Sequence, residues 1–132
     1  MVTHKNRGKF VLCPSSEGLF VFRKEAIMWN KPTRKELSAI PRLYATDTIT
    51  AKDKIIHMHF FLGSSDWFAV EFDGEDHFFG YVILNDDEEN SEWGYFSLAE
   101  LESINFLGFQ IDRDIHWKPI RAGDVSVLRG LI

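Results

Sequence analysis

EFDGEDHFFGYVILNDDEENSEWGYFSLAELESI, residues 71–104 of the 132-residue chain, contains the signals that decide the fold. The apolar runs FFGYVIL and WGYF are rich in aromatic and β-branched residues. Acidic segments with Gly, Asp or Asn bound these runs, which predicts β-strands. In the last segment, Glu100 follows Ser97 at the spacing of a capping box, and apolar residues recur behind it at helical spacing. This pattern predicts that a helix begins at about Ser97.

Two further apolar runs precede this stretch, IIHMHFFL at residues 55–62 and WFAVEF at residues 67–72. Together with FFGYVIL they predict an antiparallel meander of about three central strands, because short turns with Gly or Asp separate them. Side chains alternate along a strand, so Ile56 and Met58 are predicted on one face and His57 on the other. Both faces are substantially apolar, which predicts that helices or another chain cover part of the second face.

Segments outside the meander complete the predicted fold. The short apolar runs KFVLC and GLFVFR predict an N-terminal hairpin, with Pro and Gly supplying the turn. Thr33 and Glu36 form a second capping-box pair, which predicts a short helix. The segment IDRDIHWKPI, residues 111–120, predicts a later edge strand, because Pro is confined to strand edges and ends.

The composition fits one compact domain. The chain is 45% hydrophobic and 14% aromatic, which is sufficient for a single packed core without a metal or a disulfide. Cys13 is the only cysteine, which indicates a reducing compartment, and no apolar run reaches the length of a membrane span. We expect one α+β domain, residues 1–132, with an antiparallel sheet, two short helices packed on it and a loose basic leader at residues 1–8. It is predicted to be cytoplasmic, with no membrane contact.

Charge is distributed unevenly along the chain. Residues 1–54 contain eleven Lys or Arg and five acids, whereas residues 55–112 contain thirteen acids and no Lys or Arg. Residues 113–132 contain four bases and two acids. Such segregation bears on association, because a surface of one sign steers a partner of the opposite sign.

The acids of two loops form the predicted partner-binding surface. They lie in the turn DGEDH and in the solvated loop NDDEENSE, and they are Asp73, Glu75, Asp76, Asp86, Asp87, Glu88, Glu89 and Glu92. They make one anionic surface if the turn and the loop share the same or adjoining ends of the sheet. Successive hairpin turns lie at opposite ends, so this requires the longer loop to fold back. Under that condition we expect the surface to bind a basic protein.

Another acidic group surrounds Arg113. Glu71, Asp112 and Asp114 are predicted to form a structural ion-pair cluster with Arg113, because a planar guanidinium suits bidentate carboxylate contacts. The alternative is a divalent-cation site of a metal-dependent enzyme acting on nucleic acid, since hard cations take several carboxylate oxygens.

No catalytic motif with a strong mechanism is present. His57 and His59 have the spacing of two metal ligands on one strand face, but histidines at this spacing also occur by chance, and no metal is predicted. The chain has neither a nucleophile elbow nor a Gly-rich phosphate loop, so no cofactor and no catalytic residue are predicted. The basic N-terminal region, with Lys31, Arg34 and Lys35 near a helix start, leaves direct nucleic-acid binding as an alternative.

Several pieces of the sequence resemble one known family. FFGYV at residues 78–82, GYFSLAELESI at residues 94–104 and IDRDIHWKP at residues 111–119 match the order and spacing of a bacterial family of domains of unknown function. The resemblance covers roughly residues 30–120. Two parts depart from the family's pattern, namely the unusually acidic loop at residues 85–93 and the basic leader with its hairpin before Met28. It implies a small single-domain protein encoded on a plasmid or another mobile element, near antirestriction and conjugation genes, and it implies no catalytic residues.

Charge and resemblance together predict a non-enzymatic interaction protein of a mobile genetic element. It is expected to bind a basic partner, a DNA-handling or host-defence protein, through an acidic surface. The alternatives are a metal-dependent enzyme acting on nucleic acid and a nucleic-acid-binding accessory protein that uses the basic N-terminal region. The sequence leaves the oligomeric state open.

Overall fold

The computed structural model of the chain describes residues 28–132. The predicted N-terminal hairpin, the basic leader at residues 1–8 and Cys13 lie outside the described residues. Residues 28–132 adopt the predicted α+β arrangement, with an antiparallel sheet and two short helices.

A five-stranded antiparallel sheet forms the centre of the fold. The strands described are β1 Ile55–Ile56, β2 Met58–Leu62, β3 Ser65–Phe72, β4 His77–Ile83, β5 Glu92–Ser97, β6 Asn105–Phe106, β7 Phe109–Gln110, β8 Asp112–Arg113 and β9 Ile120–Arg121. Strands β5, β4, β3, β2 and β8 lie side by side in that order, each antiparallel to its neighbour. The predicted meander is confirmed as β2, β3 and β4, and the predicted later edge strand is β8. Strands β1 and β9 form one small sheet, and β6 and β7 form another.

Two short helices begin where the capping boxes predict. They are α1 Arg34–Leu37 and α2 Leu98–Ser103. The hydroxyl of Thr33 accepts a hydrogen bond from the N–H of Glu36 at 3.1 Å, and the Glu36 carboxylate accepts from the N–H of Thr33 at 2.9 Å. Ser97 and Glu100 make the same reciprocal pair at 2.9 and 3.4 Å. No helix within residues 28–132 has the length and apolar character needed to cross a membrane.

A β-bulge changes the alternation of β3. The register passes from Ala69 opposite Gly80 to Glu71 opposite Phe79, so Val70 is an extra residue in β3. Beside the bulge the two strands approach closely, because a Cβ at Gly80 would lie 1.8 Å from the carbonyl oxygen of Phe68. This position therefore requires glycine.

Both faces of the sheet are covered, by different parts of the chain. On the first face, both helices pack against the aromatic side chains of the strands, and this core includes Leu37, Phe60, Phe78, Phe96, Leu98 and Leu101. On the second face the segment after β9 supplies the cover, and that core includes Phe68, Val70, Tyr81, Ile83, Ala122, Val125 and Leu128. Residues 122–128 form two 3₁₀-helices, Ala122–Asp124 and Ser126–Leu128.

The prediction that Ile56 and Met58 share a face is wrong. Met58 belongs to the first core and Ile56 to the second. The strand is interrupted at His57, and Ile56 pairs with Ile120 of β9 rather than continuing β2. The interruption breaks the period-two alternation on which the prediction depended.

Candidate interaction surface

The acidic loop, residues 84–92, joins β4 to β5 and includes the first residue of β5. Asn85 and Asp86 have positive φ angles of 53° and 61°, a left-handed conformation that Asn and Asp tolerate. The N–H of Asn85 donates to Oγ of Ser65 at 2.9 Å, and the N–H of Asp86 donates to the carbonyl of Ser64 at 2.9 Å. These bonds attach the acidic loop to the turn between β2 and β3.

A cavity of about 260 Å³ lies beside the acidic loop. Two carboxylates, two amides and two apolar side chains line it: Val82, Leu84, Asn85, Asp87, Asn90 and Glu92. Asp87 is held in place because it accepts hydrogen bonds from the N–H and the side-chain amide of Asn90, at 3.3 and 2.7 Å. Such a lining offers acceptors for a cationic group and apolar contact for the stem of a Lys or Arg side chain.

The carboxylates of the acidic loop have no ion-pair partner among residues 28–132. The Lys and Arg residues that form ion pairs there use other acids, namely Glu36, Asp53, Glu102 and Asp124. The five acids of the loop are all exposed: Asp86, Asp87, Glu88, Glu89 and Glu92. The acidic loop therefore presents negative charge to solvent.

Two of the three acids in the turn between β3 and β4, by contrast, have structural roles. Asp73 accepts hydrogen bonds from the backbone N–H groups of Glu75, Asp76 and His77 at 2.7, 2.8 and 3.1 Å. Burial alone would raise the pKa of Asp73, but these donors outweigh it, and the pKa lies below its ordinary value. The Asp76 carboxylate accepts from the N–H of Ala99 at 2.9 Å, in the first turn of α2.

Basic side chains lie over the same turn. Arg34 donates from Nη1 to the carbonyl oxygen of Glu75 at 3.0 Å. The Arg42 guanidinium lies against Gly74, where an added Cβ would come within 2.2 Å of its Nη1 atom. The basic segment before β1 therefore offsets the negative charge at this end of the sheet.

Strand β4 separates the two acidic groups. Its 7 residues span about 20 Å at the usual strand rise, with the turn at the His77 end and the acidic loop at the Ile83 end. The acidic loop is bonded to the turn between β2 and β3 and does not reach back along β4. The condition for one anionic surface is therefore not met, because consecutive connections of an antiparallel meander lie at opposite ends. Asp73, Glu75 and Asp76 lie at the far end from the acidic loop.

The predicted ion-pair cluster around Arg113 is corrected by the structure. The Arg113 guanidinium contacts Glu36 at 3.2 Å and donates from Nε to the carbonyl of Asn30 at 2.8 Å. Asp112 instead accepts from the side-chain amide of Asn30 at 2.7 Å. Successive side chains of an extended strand point to opposite faces, so Arg113 turns towards α1 while Asp112 and Asp114 turn away from it.

Glu71 also has other partners than those predicted. This side chain is 3% exposed, and its carboxylate accepts from the N–H of Tyr44 at 2.8 Å, from the N–H of Thr46 at 3.0 Å and from the Thr46 hydroxyl. Lys54 donates from Nζ to the carbonyl and hydroxyl oxygens of Thr46 at 2.5 and 3.0 Å. Glu71 therefore attaches the loop before β1 to the sheet.

His57, between β1 and β2, and His59, within β2, lie in different surroundings. His59 has Nε2 at 2.7 Å from Asp66 and Nδ1 at 4.0 Å from Asp114, and its ring stacks on Phe68 with centroids 4.6 Å apart. Burial lowers the pKa of His57. The structure thus brings His59 and Asp114 together, but in residues 28–132 no group of three or more His, Cys, Asp or Glu side chains is placed to hold a metal ion.

A row of aromatic side chains on the second face was not predicted from the sequence. On β5, Trp93 and Tyr95 lie opposite Tyr81 and Phe79 of β4. The Phe79 ring lies 5.8 Å from the Trp93 ring and 5.2 Å from the Tyr95 ring. The Tyr44 side chain neighbours that of Tyr95 and completes the aromatic surface, the name used below for Tyr44, Phe79, Trp93 and Tyr95. Pairing the runs WGYF and FFGYV as neighbouring strands would have predicted from the sequence that Phe79, Trp93 and Tyr95 share one face of the sheet.

The fold and these surfaces define a small α+β protein with a five-stranded antiparallel sheet and an exposed acidic loop. The chain belongs to the family described as protein of unknown function DUF2958, whose family model matches residues 30–126. That match spans both capping boxes and every strand of the central sheet. No curated protein and no solved structure matches the chain.

Proposed function

We propose that this protein is a non-enzymatic interaction protein that binds a basic protein through the acidic loop. The observation that carries the proposal is the exposure of five carboxylates that no Lys or Arg of residues 28–132 pairs with. In the turn between β3 and β4, Asp73 and Asp76 accept hydrogen bonds within the fold, and the guanidinium groups of Arg34 and Arg42 lie against the backbone of Glu75 and Gly74. An anionic surface left without internal neutralisation attracts cationic partners and raises their association rate.

The cavity beside the acidic loop supports the same proposal. Asp87 and Glu92 supply carboxylates to its lining, and Val82 and Leu84 supply apolar surface. A Lys or Arg side chain has the matching division between a charged end and an apolar stem. One such side chain of the partner is proposed to enter the cavity while the other carboxylates of the loop act through longer-range attraction.

The proposed partner is a DNA-handling or host-defence protein, and the proposed setting is the cytoplasm of a bacterium carrying a plasmid or another mobile element. This part of the proposal depends on the family resemblance. Proteins that handle nucleic acid carry basic surfaces for phosphate contacts, and carboxylates of the acidic loop would occupy such a surface in place of phosphates. Binding of this kind weakens as salt concentration rises.

The test is a binding titration of the whole protein with a fluorescently labelled octalysine peptide, repeated at increasing salt. The triple variant D86N/E88Q/E89Q removes three charges whose carboxylates make no hydrogen bond to another residue of the described part. Exposed charge pairs contribute about 0.2–1 kcal/mol each, so we expect the variant to bind roughly tenfold more weakly.

The control is D53N/E75Q/D124N, which removes three exposed acidic charges away from the acidic loop. Asp53 and Asp124 pair with Arg121, so thermal melting followed by circular dichroism checks that this variant remains folded. It is expected to keep most of the affinity. Equal losses of affinity in the two triple variants would show that peptide binding depends only on the net charge of the protein. Binding that does not weaken with salt would contradict an electrostatic surface. Either result would refute the proposed function.

A further inference from the structure

The aromatic surface is exposed although it lies on a face of the sheet that is covered elsewhere. Tyr44 is 64% exposed and Tyr95 is 56% exposed, while Phe79 and Trp93 are partly buried between them and the second core. The segment after β9 packs on Tyr81 and Phe68 and leaves the rings of Tyr44 and Tyr95 open to solvent. Large exposed aromatic side chains grouped together mark an interaction site more often than a solvated surface.

The backbone holds Tyr44 in an unfavourable conformation. Its φ angle is 71°, in the left-handed region that bulky residues rarely adopt. The N–H of Tyr44 donates to the buried Glu71 carboxylate at 2.8 Å, which keeps the residue in this conformation. Backbone strain of this kind persists where the surrounding structure imposes it, and such positions concentrate at functional sites.

The charges around the aromatic surface are negative. The Tyr44 hydroxyl is the main cause that raises the pKa of Tyr95, and the carboxylates of Glu71 and Asp47 contribute to the same increase. The Glu71 carboxylate is buried, whereas Asp47 is exposed, so a ligand that stacks on Tyr44 and Tyr95 lies near the Asp47 carboxylate. This negative charge favours a cation and disfavours phosphate.

We propose that the aromatic surface binds arginine side chains of the basic partner. A guanidinium is planar and weakly hydrated, so it stacks on aromatic faces, whereas a lysine ammonium is a compact and strongly hydrated charge. The acidic loop then attracts the partner by charge, and the aromatic surface selects arginine over lysine. The inference rests on the proposed function and assigns it a preferred side chain.

The experiment compares labelled octa-arginine and octalysine peptides, which carry equal charge, binding to the whole protein. The aromatic variant is Y44N/Y95L, in which Asn accommodates the positive φ angle and Leu keeps an apolar side chain on β5. We expect the wild-type protein to prefer the arginine peptide by about five- to tenfold. The variant should lose this preference and keep its affinity for the lysine peptide, and thermal melting followed by circular dichroism checks that it remains folded.

The matched control is F106L/F109L. Phe106 and Phe109 are 65% and 57% exposed on the hairpin of β6 and β7, so this variant removes two exposed rings outside the aromatic surface. It should retain the arginine preference. Retention of the preference in Y44N/Y95L, or its loss in the control as well, would overturn the inference.

Further outcomes separate this inference from the proposed function. If both peptides bind equally well and D86N/E88Q/E89Q weakens both, the inference fails and the proposed function stands. If Y44N/Y95L abolishes the arginine preference while D86N/E88Q/E89Q changes neither affinity, the proposed role of the acidic loop is refuted and the arginine-binding role of the aromatic surface is supported. Binding of a single-stranded oligodeoxythymidine that is lost in Y44N/Y95L would assign the aromatic surface to nucleobases and overturn the inference.

Discussion

Replacing Gly80 by alanine tests the close approach of β3 and β4. The added methyl group would lie 1.8 Å from the carbonyl oxygen of Phe68 and 2.8 Å from its carbonyl carbon. These are backbone atoms beside the bulge, so relief requires separating two strands whose side chains belong to both cores. Overpacking costs about 1–3 kcal/mol, and a backbone clash belongs at the upper end of this range. We expect G80A to lose about 3 kcal/mol of unfolding free energy, or roughly 12 °C in melting temperature.

Gly94 provides a matched control, because it lies directly opposite Gly80 on β5. A Cβ at Gly94 has no atom within 4 Å. Alanine also loses less backbone entropy on folding than glycine does, so G94A is expected to gain about 0.5 kcal/mol. The two variants add the same methyl group to neighbouring positions of one sheet, and only the space available differs.

Urea titrations monitored by the fluorescence of the 4 tryptophans measure the unfolding free energy of each variant, and thermal melts followed by circular dichroism provide an independent measure. The reasoning is refuted if G80A and G94A unfold at the same urea concentration, or if G94A is the less stable variant. Either result would mean that β3 and β4 are not as close at Gly80 as the bulge implies.

Three further changes test other contacts. E71Q should lower the unfolding free energy by about 1–3 kcal/mol in urea titrations, because an amide presents only one acceptor oxygen to the donors of Tyr44 and Thr46. An unchanged urea midpoint would show that these hydrogen bonds do not stabilise the fold. Burial lowers the pKa of His57 from 6.5, so the unfolded chain takes up a proton first as pH falls, and stability should decline below about pH 7 until the folded pKa is passed. H57Q should flatten that decline in urea midpoints measured from pH 8 to pH 5, and equal slopes in the two proteins would argue against it. Backbone donors lower the pKa of Asp73, so its contribution to stability is present above about pH 4 and is lost as pH falls through the folded pKa. D73A should therefore lower the unfolding free energy by about 1 kcal/mol at pH 7 and by less at pH 3. A loss of stability that is the same at both pH values would rule this out.

Local patterns predicted the elements that depend on neighbouring residues. Thr33 with Glu36 and Ser97 with Glu100 marked both helix starts, because a capping box is closed by groups three residues apart. Apolar runs between Gly- and Asp-containing turns identified the meander for a similar reason, since strand propensity and turn geometry act over a few residues. The charge distribution is likewise a property of the sequence.

The partners of the charged side chains could not be predicted in this way. Arg113 pairs with Glu36, 77 positions away, and not with the acids that flank it, because strand alternation directs its side chain towards α1. The bulge at Val70 places Glu71 opposite Phe79, where it binds the strained backbone of Tyr44. No local signal in the sequence marks that bulge.

By itself, then, the sequence determined an antiparallel α+β domain with two capped helices and a strongly acidic central region, since these follow from local propensity and composition. Tertiary structure alone decided which acids stay exposed. Strand β4 directs the acids of its two connections to opposite ends of the sheet, and Arg34 and Arg42 cover one end while the acidic loop remains open at the other. The physical reason is that charge neutralisation and ring stacking depend on distances across strands, and strand register, rather than sequence separation, sets those distances.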